Sequence, residues 1–319
     1  MNLLPAHPKN VHAVIVGGGT MGADVAVVLA RGGCRVTVID PSEAKRAQLQ
    51  AHVRQGLTPL GLERRADLVT AMPALPSVAW GDVALVVECI PENLPMKQQL
   101  FAELMNHAPA FTVLASNSSS FPISAIAQGL DTRERMLGLH FFMPAHLVPL
   151  VEVVRGPDSD PELADSLCAF MRGCGSVPVL VRKDKPGFLA NRLQHALARE
   201  AFAMIDEGIA TPEDVDAAVR FGFGFRYLAA GPVLQRDHAG LDVHCAAAAT
   251  MYPSLSSTTE PARVLQAHVD AGRLGMKTGA GFYEWPEARR LAERARYDRL
   301  LQQGLDLLAD ELPPLDTTF

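Results

Sequence analysis

The chain has 319 residues, 48% of them hydrophobic, and a formal net charge of −6. This length can bury a sizeable core and suggests two domains, while the acidic balance lacks the basic patch that nucleic-acid binding usually needs. No apolar run is long enough to span a membrane, and the five cysteines (Cys34, Cys89, Cys168, Cys174, Cys245) show neither a CxxC nor a metal-ligand spacing, so a cytoplasmic protein with reduced thiols and no metal is expected.

The first ten residues, with Pro5 and Pro8, read as a loose extension rather than a signal segment. Val11–Val16 is an apolar strand and Met21–Arg31 a helix. Between them Gly17, Gly19 and Gly22 form a GxGxxG. Gly17 allows the tight turn, Gly19 lets a pyrophosphate approach the backbone, and Gly22 lets the helix pack on the strand. The helix N-terminus offers free N–H groups and a positive dipole end to phosphates, with Met21 in its first turn. Asp40 closes the next strand, at about the 20-residue spacing of the acid that binds a ribose diol. A carboxylate there repels a 2′-phosphate, and Pro41 and Ser42 follow it with no adjacent Arg, so the cofactor is expected to be NAD(H). No Lys-Ser/Thr pair follows the glycines, which excludes a P-loop.

Ser42–Gln55 reads as a helix and Asp82–Cys89 as a buried strand. Asn93–Met105 is helical, Thr112–Ser116 a strand, and Ile123–Gln128 a short helix. Met136–His140, Val148–Val154 and Ser176–Val181 are further strands, with a helix over Pro161–Arg172. The alternation predicts a doubly wound, Rossmann-type α/β sheet. Lys183–Gly187 is a charged Pro/Gly break, and beyond it no strand pattern of any strength appears. Helices are expected over Phe188–Glu207, after the Thr211-Pro212 cap, and over Ala239–Met251, Pro261–Ala271 and Pro286–Leu308. The expected division is a nucleotide-binding domain over 1–183 and an all-helical C-terminal domain over 184–319.

Four polar patches are expected at strand C-termini, where an α/β sheet usually places its site: SNSSS at Ser116–Ser120, GLHFFMP around His140, LVEVV around Glu152, and KDKPGFLANRL around Asn191. Together with the glycine motif and the late KTGAGFYEW, in this order, they make the chain resemble the L-3-hydroxyacyl-CoA dehydrogenase family from Val14 to about Trp285. The resemblance implies NAD-linked oxidation of a 3-hydroxyl to a 3-keto group and a homodimer formed through the helical domain. It implies His140 as general base, Glu152 as its orienting partner, and Ser119 and Asn191 as polar groups on the substrate oxygen. It also places Glu92, Lys97 and Asn117 near the cofactor; a solvated helix lysine is the plain alternative for Lys97.

The chain departs from that family in three places. Met143 stands where the family commonly has Asn. The segment from Asp40 to the Asp82 strand is shorter than in the acyl-CoA enzymes, where a helical hairpin reaches the CoA. Gly222–Pro232 reads GFGFRYLAAGP, which resembles relatives acting on free hydroxy acids, such as L-gulonate 3-dehydrogenase and L-carnitine dehydrogenase. Arg226 could then pair with a substrate carboxylate, or simply make a structural salt bridge. The small-molecule substrate is thus a 3-hydroxyacyl-CoA or a free 3-hydroxy acid. Two other readings stand beside it. One is a 3-hydroxyisobutyrate or 6-phosphogluconate type of dehydrogenase, disfavoured by the His–Glu pair. The other is a crystallin-like NAD-binding protein without activity.

Overall fold

The structure is a computed structural model that describes residues 3–318. The chain forms two compact units, one running to Asn191 and taking in Ala309 onward, the other Arg192–Leu308.

The first unit is built on one eight-stranded sheet. Its strands are β1 (His12–Val16), β2 (Arg35–Ile39), β3 (Val69–Met72), β4 (Val83–Glu88), β5 (Val113–Ser116), β6 (Met136–Phe141), β7 (Leu150–Arg155) and β8 (Val177–Val181), in the order 3-2-1-4-5-6-7-8. The first six are parallel; β7 runs antiparallel to β6, and β8 follows β7. Helices α1 (Thr20–Arg31), α2 (Glu43–Leu57), α3 (Leu94–Leu104), α4 (Ile123–Ile126) and α5 (Pro161–Gly173) connect them. Successive strand residues point to opposite faces. Ala13 and Ile15 therefore join one core with α1, α2 and α5, and Val14 and Val16 join a second with α3 and α4. Coverage on both faces explains why the central strands read as continuous apolar runs. This is the expected Rossmann-type sheet.

Three features differ from the sequence expectation. β3 has no counterpart in it. It is a four-residue edge strand with only Val69 buried, so it carries no apolar run to read. The first residues are not loose. Leu4 is buried, and the Asn10 N–H donates to the Gly33 carbonyl at 2.9 Å; Met1 and Asn2 lie outside the described residues. The unit boundary lies later than 183/184. Asp184 accepts the Ser124 N–H at 2.8 Å and Phe188 is buried in the α3–α4 core, which ties the Pro/Gly break to the sheet. The C-terminal residues also return to the first unit, where Arg65 donates to the carbonyls of Asp316 and Thr318.

The second unit is helical. α6 (Ala190–Asp206) leads into it, followed by α7 (Pro212–Ala218), α8 (Gly224–Arg226), α9 (Leu234–Ala239), α10 (Leu241–Met251), α11 (Arg263–Asp270) and α12 (Glu287–Leu307). α7 starts with the capping box that the Thr-Pro-Glu-Asp run announces, Thr211 and Asp214 bonding reciprocally. No helix among the described residues is long and apolar enough to cross a membrane.

Candidate active site

The site lies where the parallel strands end. β1 runs into Gly17, which sits at φ +106°, and a Cβ there would stand 2.6 Å from the Cys89 carbonyl oxygen. A Cβ on Gly22 would fall on the carbonyl oxygen of Gly17, inside any permitted contact. Gly19 is different: it is the N-cap of α1, and a Cβ on it would meet nothing within 4 Å. The turn is closed behind by Gly17 and Gly22 and open at Gly19, which fits a pyrophosphate approaching the helix N-terminus. Met21, in the first turn of α1, packs partly against the core.

Asp40 follows β2 and is 4% exposed. The Gly18 N–H donates to its Oδ2 and the Ser42 N–H to its Oδ1, each at 2.9 Å; Lys45 Nζ lies 3.2 Å from Oδ2. Burial works against its ionisation, but these two amides and the ammonium outweigh it and hold the carboxyl below the usual range. An ionised acid aimed beside the glycine turn suits a ribose diol.

His140 is the fifth residue of β6, and Glu152 faces it directly in the antiparallel register of β7. The imidazole Nδ1 is 2.7 Å from Glu152 Oε2, and Nε2 is 2.9 Å from the Ser119 hydroxyl. His140 and Glu152 are buried, whereas Ser119 is exposed. Glu152 Oε1 accepts the N–H groups of Leu189 and Ala190, at 3.0 and 2.7 Å, where α6 begins. Asn191 is the next residue, in the first turn of α6 rather than at a strand end. The rings of Phe142 and Phe188 meet His140 edge-on, at 4.5 and 5.6 Å between centroids.

A second network supports the serine loop. Glu88 ends β4 and is fully buried; its carboxylate accepts from Lys97 Nζ at 2.7 Å, the Ile90 N–H at 2.7 Å and the Ser116 hydroxyl at 2.6 Å. Lys97 also lies 3.2 Å from Glu92 Oε2. Glu92 Oε1 in turn accepts the Ser118 hydroxyl and the amides of Ser119 and Ser120, at 2.6, 3.2 and 2.9 Å. Glu92 loses some ionisation to burial, but Ser118, Lys97 and Ser120 more than restore it and keep its pKa low. Asn117 Oδ1 accepts the Phe141 N–H at 2.9 Å, joining the ends of β5 and β6.

Ser119, His140 and Glu152 line up like an acyl-transfer triad. The two amides nearest the serine hydroxyl, however, are taken up by Glu92, a carboxylate, where a hydrolase would aim them at an oxyanion. The same line suits an alcohol, whose proton a histidine can take while the carbon gives up hydride. The NAD-binding domain of 3-hydroxyacyl-CoA dehydrogenase matches residues 12–185, and the C-terminal domain of that enzyme matches residues 187–285.

The chain belongs to the 3-hydroxyacyl-CoA dehydrogenase family.

As a member of this family it is an NAD-dependent dehydrogenase that acts on the 3-hydroxy group of a small molecule. It is 33% identical over 301 residues to the 5-formyl-3-hydroxy-2-methylpyridine 4-carboxylate 5-dehydrogenase of Mesorhizobium japonicum, covering 88% of this chain and 94% of that one. A crystal structure of an enzyme of that name, described as an NAD+-dependent dismutase, superposes with a TM-score of 0.87 at 30% identity, over 94% of this chain and 99% of the other. The (S)-3-hydroxybutyryl-CoA dehydrogenase of Ralstonia eutropha gives a TM-score of 0.71 at 28% identity, over 88% of this chain and 100% of the other.

The fold brings His140, Glu152 and Ser119 into one hydrogen-bonded line, and Asn191 follows Ala190, whose amide bonds Glu152. It brings Glu92 and Lys97 together beneath the serine loop, and it buries Lys97 to 1% exposure rather than leaving it on a solvated helix face. Arg226 lies in the second unit, exposed on α8. Sequence reasoning missed the structural part played by Glu88, although an acid closing an apolar strand was a visible signal. It also missed Asp24, an acid inside the apolar stretch of α1.

Proposed function

We propose that His140 is the general base and that the substrate is a compact free acid rather than a CoA thioester. The observation that carries the first part is the His140 ring held between Glu152 and Ser119. With Glu152 accepting from Nδ1–H, Nε2 is left with its lone pair toward the exposed hydroxyl. It takes the proton of the substrate 3-hydroxyl as the C3–H bond breaks, and the oxygen becomes a carbonyl. Bound NAD+ supplies the acceptor for the hydride leaving C3. Glu152 stabilises the resulting imidazolium, and Ser119 and Asn191 donate to the substrate oxygen. The glycine turn and Asp40 hold the cofactor, with Met21, Glu92, Lys97 and Asn117 around it.

The second part rests on three supports. The TM-score with the pyridine-carboxylate enzyme exceeds that with the butyryl-CoA enzyme. Glu43–Leu57 is the one α-helix between Asp40 and Val83, followed by β3 and four 3-10 turns, so no helical hairpin stands there among the described residues. The Gly222–Pro232 run, GFGFRYLAAGP, resembles that of relatives acting on free hydroxy acids. Arg226 is the candidate partner for a substrate carboxylate. An NAD-reduction screen decides it. Turnover is expected on one or more of free 3-hydroxybutyrate, L-gulonate, L-carnitine and hydroxylated pyridine carboxylates; a kcat/KM highest for 3-hydroxybutyryl-CoA overturns the free-acid reading.

The active form we propose is a cytoplasmic homodimer joined through the helical unit. Val215 and Ala230 are the buried hydrophobic residues among those described there, while Phe221, Phe225, Val233, Leu241 and Tyr252 are more than 60% exposed. A helical unit with so little core needs cover for its apolar faces, and a second copy provides it. Light scattering that shows a monomer at micromolar concentration overturns this.

A further inference from the structure

Asp24 is a carboxylate in an otherwise apolar helix. α1 reads TMGADVAVVLAR, and Asp24 is 1% exposed. Its side chain is met from two other parts of the first unit. Oδ2 accepts the Ala145 N–H at 3.0 Å. Oδ1 accepts from His52 Nε2, on α2, at 2.8 Å, and His146 Nδ1 lies 3.2 Å from the same oxygen. Burial opposes the charge, but the two imidazoles outweigh it and hold the pKa at about 2. A buried carboxylate is costly unless it is paired, so this cluster requires a reason. None of its members takes part in the proton transfer described above.

The reason lies in what the carboxylate joins. Asp24 stands one turn beyond the N-terminus of α1, the helix that opens from the glycine motif. Ala145 lies in the eight-residue loop between β6 and β7, residues 142–149, which begins two positions after His140. Asn117 pins the start of that loop through the Phe141 N–H. Asp24 pins it again at Ala145. Between the two pins, Phe142 lays its ring edge against His140. Releasing the second pin frees the segment that packs the imidazole, while the register with Glu152 stays intact.

We propose that Asp24 is a positioning residue, which ties the loop after His140 to the glycine-motif helix so that the cofactor seat and the base keep one geometry. This rests on the reading of His140 as the base. His52 and His146 compensate the charge; the Ala145 amide makes the tie.

The test compares Asp24→Ala with Asp24→Asn. An amide oxygen can still accept the Ala145 N–H, whereas a methyl group cannot. In wild type, the Ala145 amide should exchange with solvent as slowly as the amides of β6. Asp24→Ala should speed that exchange and lower kcat about tenfold, with KM for NAD+ within about twofold of wild type. Asp24→Asn should restore slow exchange and return kcat to within about threefold, even where its melting temperature falls. Fast Ala145 exchange in wild type overturns the proposal without needing any variant to fold. So does an Asp24→Ala protein with wild-type kcat, or an Asp24→Asn protein as impaired as Asp24→Ala. The exchange measurement needs no substrate, so it stands apart from the reading of His140: if His140→Gln kept full turnover, that reading would fail and the tie would remain.

Discussion

Glu152 stands directly across the antiparallel register from His140, with one carboxylate oxygen 2.7 Å from the imidazole and the other closed by two backbone amides. Opposed residues of an antiparallel pair point to the same face, so the β6–β7 ladder itself sets the distance. The amides at the start of α6 then fix the rotation of the carboxylate. The imidazole is held from below by two strands and a helix end, while its Nε2 faces an exposed serine. Such a ring can cycle between neutral and protonated without moving.

His140→Gln should leave NAD+ affinity unchanged and lower kcat by roughly 10²–10⁴. Glu152→Gln should fall in the same range, for a specific reason. With the Gln oxygen held by the Leu189 and Ala190 amides, its NH2 faces His140 Nδ1 and forces the tautomer that leaves no lone pair on Nε2. The double variant should be little worse than either single one, because the two residues act as a unit. Steady-state kinetics with cofactor binding followed by fluorescence checks all three; additive losses contradict the mechanism.

Cofactor choice should reside in Asp40. Wild type should prefer NAD(H) to NADP(H) in kcat/KM. Asp40→Ala should narrow the gap, since it removes the diol acceptor and the repulsion of a 2′-phosphate together. Lys45, already 3.2 Å from the carboxylate, would remain to meet that phosphate. A wild-type preference for NADP contradicts this.

Lys97→Met should cost about 3–5 kcal/mol of stability, because it strands the fully buried Glu88 carboxylate. Adding Glu88→Gln should recover most of that loss, since an amide can still serve the Ser116 hydroxyl and the Ile90 amide. Urea unfolding measures both. A single variant as stable as wild type would mean that the pair carries no stability.

Acid should weaken the fold partly through Asp24. Its pKa is lowered from 3.8 to about 2, so its stabilising contribution is complete above the unfolded value and is lost as pH falls from 3.8 toward about 2. The contribution amounts to about 2 kcal/mol. Asp24→Asn should therefore be less stable than wild type at pH 6, with the difference closing by pH 2. Melting curves at several pH values test this, and a gap that widens toward low pH contradicts it.

The local signals of this protein are written in short stretches of chain. The glycines between an apolar run and a helix, the acid closing β2, and the alternation of strand and helix follow from sterics and hydrophobic periodicity within a few residues. They were enough to draw most of the sheet, to separate a helical second part, and to mark His140 and Glu152 as polar breaks in apolar strands. What no short stretch contains is pairing. The eight-residue loop between β6 and β7 is too short for a crossover, so β7 must turn back on β6, but only the register decides that Glu152 rather than a valine faces His140. β3 escaped because an edge strand needs no apolar run. Lys97 looked like a surface lysine until α3 folded over β4 and buried it on Glu88. Asp24, His52 and His146 come from three distant parts of the sequence, and each alone looks like an ordinary polar residue. The closing residues return to the first unit, where Arg65 and Lys9 present donors to their carbonyls. Burial and partnership are properties of the packed chain, and they decide whether such residues are surface decoration or parts of a site.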